Sequence, residues 1–167
     1  MFKKYINFDA LNVNLLFYFS DLKQSKMTVT TLIEKLIAFM QNPKDNRRRF
    51  VVLDFIEKEE AKTIQLATGI ETESMIRVIE LYGMQHSMRL HGTESERKRG
   101  QIPVKVGDFC KIPMIVALGT VSIAGKDNTG RHLLQWQATI DGIRYFYTEE
   151  VRASELVLKT MYKRKGI

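Results

Sequence analysis

Between residues 84 and 104 the chain reads MQHSMRLHGTESERKRGQIPV, so that His86, His91, Arg89, Arg97, Lys98 and Arg99 crowd around one Gly-flanked bend. Histidine is the side chain that exchanges protons near neutral pH, and arginine forks match the oxygens of a phosphate. Five residues separate His86 from His91, which on an α-helix turns them about 140° apart, so they do not form the i, i+4 pair that a single metal needs. His91 stands before Gly92, a helix-ending residue, where the helix dipole favours a protonated imidazole and acid–base work. Arg97, Lys98 and Arg99 follow, and Gly100-Gln101 lets the backbone bend close to whatever they hold. A capping histidine and a solvated basic loop balanced by Glu94 and Glu96 are the plain structural alternatives.

A second set lies at the end of the chain, in ELVLKTMYKRKG. On a strand, the period of two puts Thr160 and Tyr162 on one face and Lys159, Met161 and Lys163 on the other. Hydroxyls and lysines there suit a phosphate-binding groove, or equally an edge strand blunted by lysines. Trp136, Tyr145, Phe146 and Tyr147 read first as core and second as base-stacking platforms.

The bulk composition agrees with a polyanionic partner. The 167 residues carry 26 Lys plus Arg against 19 Asp plus Glu, a net charge of +7, and the pI is near 9.5. Hydrophobic residues make up 44% and charged residues 27% of the chain, an ordinary globular balance. One cysteine, Cys110, leaves no internal disulfide and no cysteine-rich metal site, consistent with a reducing, cytoplasmic setting. No run approaches the ~20 apolar residues of a membrane-spanning helix. There is no His-Glu-x-x-His, no Walker loop and no Cys-x-x-Cys, and the carboxylates open to two-metal chemistry, Asp54, Asp108 and Asp141, are scattered. The expectation is therefore no metal and no cofactor.

The elements that must position these residues follow from periodicity. TTLIEKLIAFMQN spaces Leu32, Ile33, Leu36, Ile37 and Met40 as a helix, with a threonine N-cap and Pro43 beyond its end. RRRFVVLDFIE reads as a strand, KEEAKTIQLATGI as a helix closed by Gly69, SMIRVIEL as a strand and YGMQHSMRLHG as a short helix. After GDFCKIPMIVAL, one or two helical turns interrupted by Pro113, four strands follow: TVSIAGK, RHLLQWQATI, IRYFYTEEVR and ELVLKTMYK. The Asp141-Gly142 pair between two of them is the strongest hairpin signal. Helices first and an antiparallel β-meander last predict an α+β fold. The division is residues 1–49, an N-terminal extension with an amphipathic helix, and residues 50–167, the domain that carries the chemistry.

Taken together, MQHSMRLHGTESERKRGQIPVKVGDFCKIP and IDGIRYFYTEEVRASELVLKTMYKRKG resemble phage-associated members of the Barnase-EndoU-colicin-RelE-like nuclease superfamily, domains often attached to Mu-type minor head proteins. The pattern falls on His86, His91, Gly92, Glu96, Arg99, Gly100, Gln101, Asp108, Ile112 and Pro113, then on Glu150, Val151, Arg152, Thr160, Met161, Tyr162 and Lys163, over residues 50–167. Several relatives carry a basic pair before the His-Gly where Arg89-Leu90 stands here.

The resemblance implies a Barnase/EndoU/RelE-like fold and a metal-independent endoribonuclease, toxin-like or carried by a phage or mobile element. Such an enzyme cleaves RNA by attack of the 2′-hydroxyl on phosphorus. On this reading His91 or His86 exchanges protons, Arg99 and Lys163 hold the phosphate, and Thr160 and Tyr162 position it. Arg97, Lys98, Gln101 and Arg152 bind nucleic acid. The histidine helix and the terminal strand must then face one cleft. The implied partners are RNA and an immunity or phage head protein, with no membrane. Two alternatives are a nucleic-acid-binding module without catalysis and a structural interaction protein of a phage or mobile element.

Overall fold

A computed structural model describes residues 49–166 together with Thr31, Ile33, Glu34, Ile37 and Ala38. Those five residues are helical, as the spacing around TTLIEKLIAFMQN predicts; the rest of the N-terminal extension lies outside the described residues. Ile33 is fully buried in the main core, and Ile37 packs against it.

Strand β1 (Phe50–Phe55) comes first among the continuous elements, followed by α1 (Lys58–Thr68), β2 (Ile76–Glu80) and α2 (Leu81–His91). A 3-10 turn (Glu94–Arg99), the two-residue β3 (Gln101–Ile102), a second 3-10 turn (Val106–Lys111) and α3 (Ile112–Leu118) lead into β4 (Thr120–Lys126), β5 (His132–Ile140), β6 (Ile143–Val151) and β7 (Glu155–Lys165). All seven strands form one sheet in the order β1-β2-β7-β6-β5-β4, with β3 also paired to β7. The α+β class holds, but its arrangement corrects the expectation of helices first and strands last. Three strands are interleaved with the helices and enter the same sheet, and β2 runs parallel to β7. No described helix is long and apolar enough to cross a membrane.

Local chemistry explains the punctuation. Gly69 ends α1 in the left-handed region, φ 74°, its N–H bonded to the Gln65 carbonyl at 2.7 Å. Asp141 and Gly142 both have positive φ, 52° and 71°, the conformation of a two-residue hairpin turn whose twist matches the strands it joins. Between β4 and β5, Asp127 Oδ1 accepts bonds from the amides of Thr129 and Arg131 and from the Thr129 hydroxyl, closing the turn on itself.

Central strand β7 organises the molecule. Its one edge is fully taken by β6, while the other is shared: β2 pairs with Glu155–Val157 and β3 with Lys163–Arg164. Helix α2 covers the gap between them. Its Gly83 lies so close that a Cβ there would sit 2.2 Å from the Leu158 carbonyl oxygen, which is why glycine stands mid-helix. One turn on, the Ser87 hydroxyl donates to Gly83 O at 2.8 Å and accepts the Met161 amide at 3.0 Å, pairing a β7 donor that no strand reaches. Thus the helix that ends in His91 is pinned to the strand that carries Tyr162.

Candidate functional site

Along β7 the residues sort by face. Leu156, Leu158 and Met161 point into the main core, whereas Val157 joins Phe50, Val52, Ile76 and Val78 in a small cluster on the opposite side. The register with β6 slips at Leu158–Thr160, leaving Lys159 as the extra residue of a β-bulge. Its ammonium bonds Glu150 at 3.0 Å, away from the face of Met161 and Lys163 where strict alternation puts it. Beyond the bulge, Thr160, Tyr162 and Arg164 share the face opposite the core.

His91, the last residue of α2, meets this face. Its ring centre lies 5.6 Å from that of Tyr162, tilted by 42°. The chain then turns through Thr93 and the 3-10 segment, and Gly100, φ 71°, reverses it into β3. That excursion brings Glu96 back under the histidine. His91 Nδ1 is 2.9 Å from Glu96 Oε2, and Arg99 donates to Oε1 of the same carboxylate at 3.2 Å. Glu96 is only 2% exposed, while the His91 side chain is 16% exposed and Arg99 reaches into solvent. An ionised carboxylate only accepts, so it places the proton of a neutral His91 on Nδ1 and leaves the Nε2 lone pair for a ligand.

Around Tyr162 the same face carries a stack and two orphaned groups. Tyr162 lies parallel to Phe146 at 4.5 Å, and the Arg164 guanidinium sits 4.7 Å from the Phe146 ring centre. Gln101 Oε1 and Thr160 Oγ1 are buried without a hydrogen-bond partner among the described residues. Each such atom costs about 1–3 kcal/mol unless something pairs it, so both are ready acceptors for a bound molecule.

Five of the residues expected in a site, His91, Arg99, Gln101, Thr160 and Tyr162, therefore gather where α2 and β3 meet β7. The others do not. Lys163 is buried on the core face, 2.5 Å from Asp108 Oδ2, with the Tyr145 hydroxyl donating to the same carboxylate at 3.1 Å. It cannot share a phosphate with Arg99, because β7 lies between them. Arg152 spends its guanidinium on Glu80, at 2.9 Å, and on Glu150, at 3.0 Å. Arg97 is paired with Glu94, and Lys98 is exposed beside it. His86 lies further up α2, its ring over Tyr82 at 6.2 Å and its Nδ1 3.2 Å from an Arg89 nitrogen. Partial burial and the charges of Arg89, Lys159 and His91 lower its pKa, favouring the neutral ring.

The sequence pattern gives Glu96 no catalytic role and does not mark Arg164; only the fold shows one beneath His91 and the other over Phe146. A buried cluster on the core face was equally hidden. There Glu149 accepts from Arg77 Nε at 2.7 Å, Trp136 Nε1 at 2.8 Å and the Tyr147 hydroxyl at 2.8 Å, and Arg77 also reaches Asp54 and Glu60. Among the described residues no three His, Cys, Asp or Glu side chains are grouped to hold a metal ion. No family model, curated protein or solved structure matches this chain.

Proposed function

We propose that the face formed by His91, Tyr162, Thr160, Gln101 and the arginines Arg99 and Arg164 cleaves RNA without a metal, on a scaffold of the Barnase/EndoU/RelE-like kind. The observation that carries this reading is the Glu96–His91–Tyr162 arrangement: a buried carboxylate orients one ring nitrogen and leaves the other free on a ring whose centre is 5.6 Å from that of Tyr162. Chemically, Nε2 takes the proton from a 2′-hydroxyl as its oxygen bonds to phosphorus. The bond to the 5′-oxygen then breaks, that oxygen collects a proton, and a 2′,3′-cyclic phosphate remains. Arg99, bonded to Glu96, and Arg164, over Phe146, are the cations that this reading assigns to stabilise charge on the phosphoryl oxygens. Thr160 and Gln101 supply the polar atoms that position the sugar and base.

The test is purified protein with RNA in excess chelator, followed by analysis of the ends. Cleavage that persists in EDTA and leaves cyclic phosphates supports the reading; activity that vanishes and returns with magnesium or manganese sinks it. A second reading, a nucleic-acid-binding module without turnover, is favoured by the Tyr162–Phe146–Arg164 stack. Such a stack holds a base whether or not chemistry follows. It predicts salt-sensitive binding with intact RNA recovered.

A further inference from the structure

The face that bears Tyr162 continues across the sheet. Register aligns Tyr162 with Phe146, Phe146 with Gln137 and Gln137 with Thr120, one residue from each of β7, β6, β5 and β4. The neighbouring row runs Gln101, Arg164, Arg144 and Thr139 across β3, β7, β6 and β5. At the far end these rows frame an open groove of about 300 Å³ lined by Thr120, Gln137, Ala138, Thr139 and Arg144. Its lining is mostly polar: one guanidinium, one amide and two hydroxyls.

Arg144 and its cross-strand neighbour Arg164 differ from the arginines elsewhere on the sheet. Arg77, Arg131 and Arg152 are each tied to carboxylates. Arg144 is half-buried, lines the groove and makes no ion pair among the described residues. A half-buried cation without a counter-ion is costly unless it meets an anion, and its fork matches phosphate. Strands lie about 4.8 Å apart, so Gln137 is roughly two spacings, ~10 Å, from Tyr162. That is too far for the phosphate being attacked beside His91 and within reach of a nucleotide next along the strand.

We propose that this groove is a subsite for a nucleotide flanking the one cleaved, with Arg144 holding its phosphate and Gln137, Thr139 and Thr120 bonding its sugar and base. The substrate is then single-stranded RNA laid across the strands of the sheet. This rests on the RNA-cleaving reading of the His91 face. A duplex does not fit the scheme, because its bases are paired and are not free to splay out into a groove.

The experiment is fluorescence anisotropy with labelled 2′-fluoro oligonucleotides two, four and six residues long, which lack the attacking hydroxyl, alongside cleavage of ordinary RNA by the wild type. Lengthening from two to four residues should tighten binding by about tenfold, the gain of one good phosphate contact. Arg144→Ala should remove most of that gain and lower the salt slope by about 0.7. Arg144→Lys should keep the slope and lose part of the gain, since a point charge replaces a fork. Gln137→Ala should weaken the four-residue ligand without changing the slope. Thermal melts matching wild type show that the variants fold. If the wild type cleaves RNA but Arg144→Ala and Gln137→Ala show the same length dependence as wild type, the subsite is wrong while the His91 reading stands. Competition by inorganic phosphate or a free mononucleotide as strong as by the four-residue strand would overturn it too. A wild type that neither cleaves nor binds any of these ligands overturns both.

Discussion

Glu149 and Glu96 are both buried carboxylates, yet the donors of the first come from three separate strands and those of the second from one helix end and one loop. Arg77, Trp136 and Tyr147 converge on Glu149 from β2, β5 and β6, all within the core. Burial alone opposes the charge of Arg77, but Glu149 and the other negative groups around it win and raise its pKa well above the usual value. Tyr147 is pushed the other way from ionisation, first by burial and then by Glu149. Nothing in that cluster is left over for a ligand. At Glu96 the carboxylate is buried at 2% exposure while its partners are more open, His91 at 16% and Arg99 at 70%. Identical chemistry thus serves as a fastener in one place and as an orienting group in the other, and what differs is whether the partners reach solvent.

The sharpest way to break this contrast is to remove each carboxylate. Glu149→Ala strands a buried guanidinium and two aromatic donors, and should cost about 3–5 kcal/mol in urea unfolding. Replacing Arg77 and Glu149 together by Met and Leu should return part of that loss, since the unpaired guanidinium is gone while Trp136 and Tyr147 still lack their acceptor. His91→Ala takes one of two partners from the buried Glu96 carboxylate and should cost about 1–3 kcal/mol in urea unfolding, less than Glu149→Ala. It should lower RNA cleavage by ~10²–10⁴-fold with little change in affinity. If His91→Ala instead unfolds the protein and Glu149→Ala spares it, the two clusters have been assigned the wrong way round.

A smaller effect is expected where helix and strand are joined. Ser87→Ala leaves the Met161 amide buried without an acceptor and should cost about 1–3 kcal/mol. Because Ser87 sits one turn before His91 on the helix, cleavage should fall along with stability, a coupling that Glu149→Gln should not share at temperatures where both fold. Equal cleavage by Ser87→Ala and wild type would show that the seam does not position the site.

The smallest expected effect is a pH dependence at the rim. Burial raises the pKa of Glu150, but hydrogen bonds from Lys159, Arg152 and Arg131 outweigh it and hold the carboxyl below its ordinary 4.5. A depressed acid contributes stability that is present above the unfolded pKa and lost as pH falls through the folded one. Wild type should therefore lose stability below about pH 4.5, whereas Glu150→Gln should be weaker at neutral pH and flatter in that window; a wild-type loss of unchanged size in the variant would assign the acid sensitivity elsewhere.

Much of the scaffold was legible in the chain because its signals are local. Alternation marks most of β5, Asp141-Gly142 demands positive φ at two consecutive positions, and Gly69 ends α1 for the same steric reason. The meeting of His91, Arg99, Gln101, Thr160 and Tyr162 was legible only as a list of residue types that suit one reaction. Spacing says nothing about which distant residues touch.

What the sequence by itself determined is the set of elements and their ends, since backbone sterics and the period of apolar residues act over a few positions. The tertiary structure alone decided the use of each charge. Lys163 and Tyr162 are neighbours in sequence, but β7 sends one into the core against Asp108, 55 positions away, and the other to the surface beside His91. A single bulge moved Lys159 off the face of Met161 and Lys163, and the fold of one short loop buried Glu96 under a histidine. A lysine or glutamate carries the same charge wherever it stands. Only the packing around it settles whether that charge is neutralised inside or held out for a ligand, because desolvation and pairing depend on neighbours that the chain brings from far away.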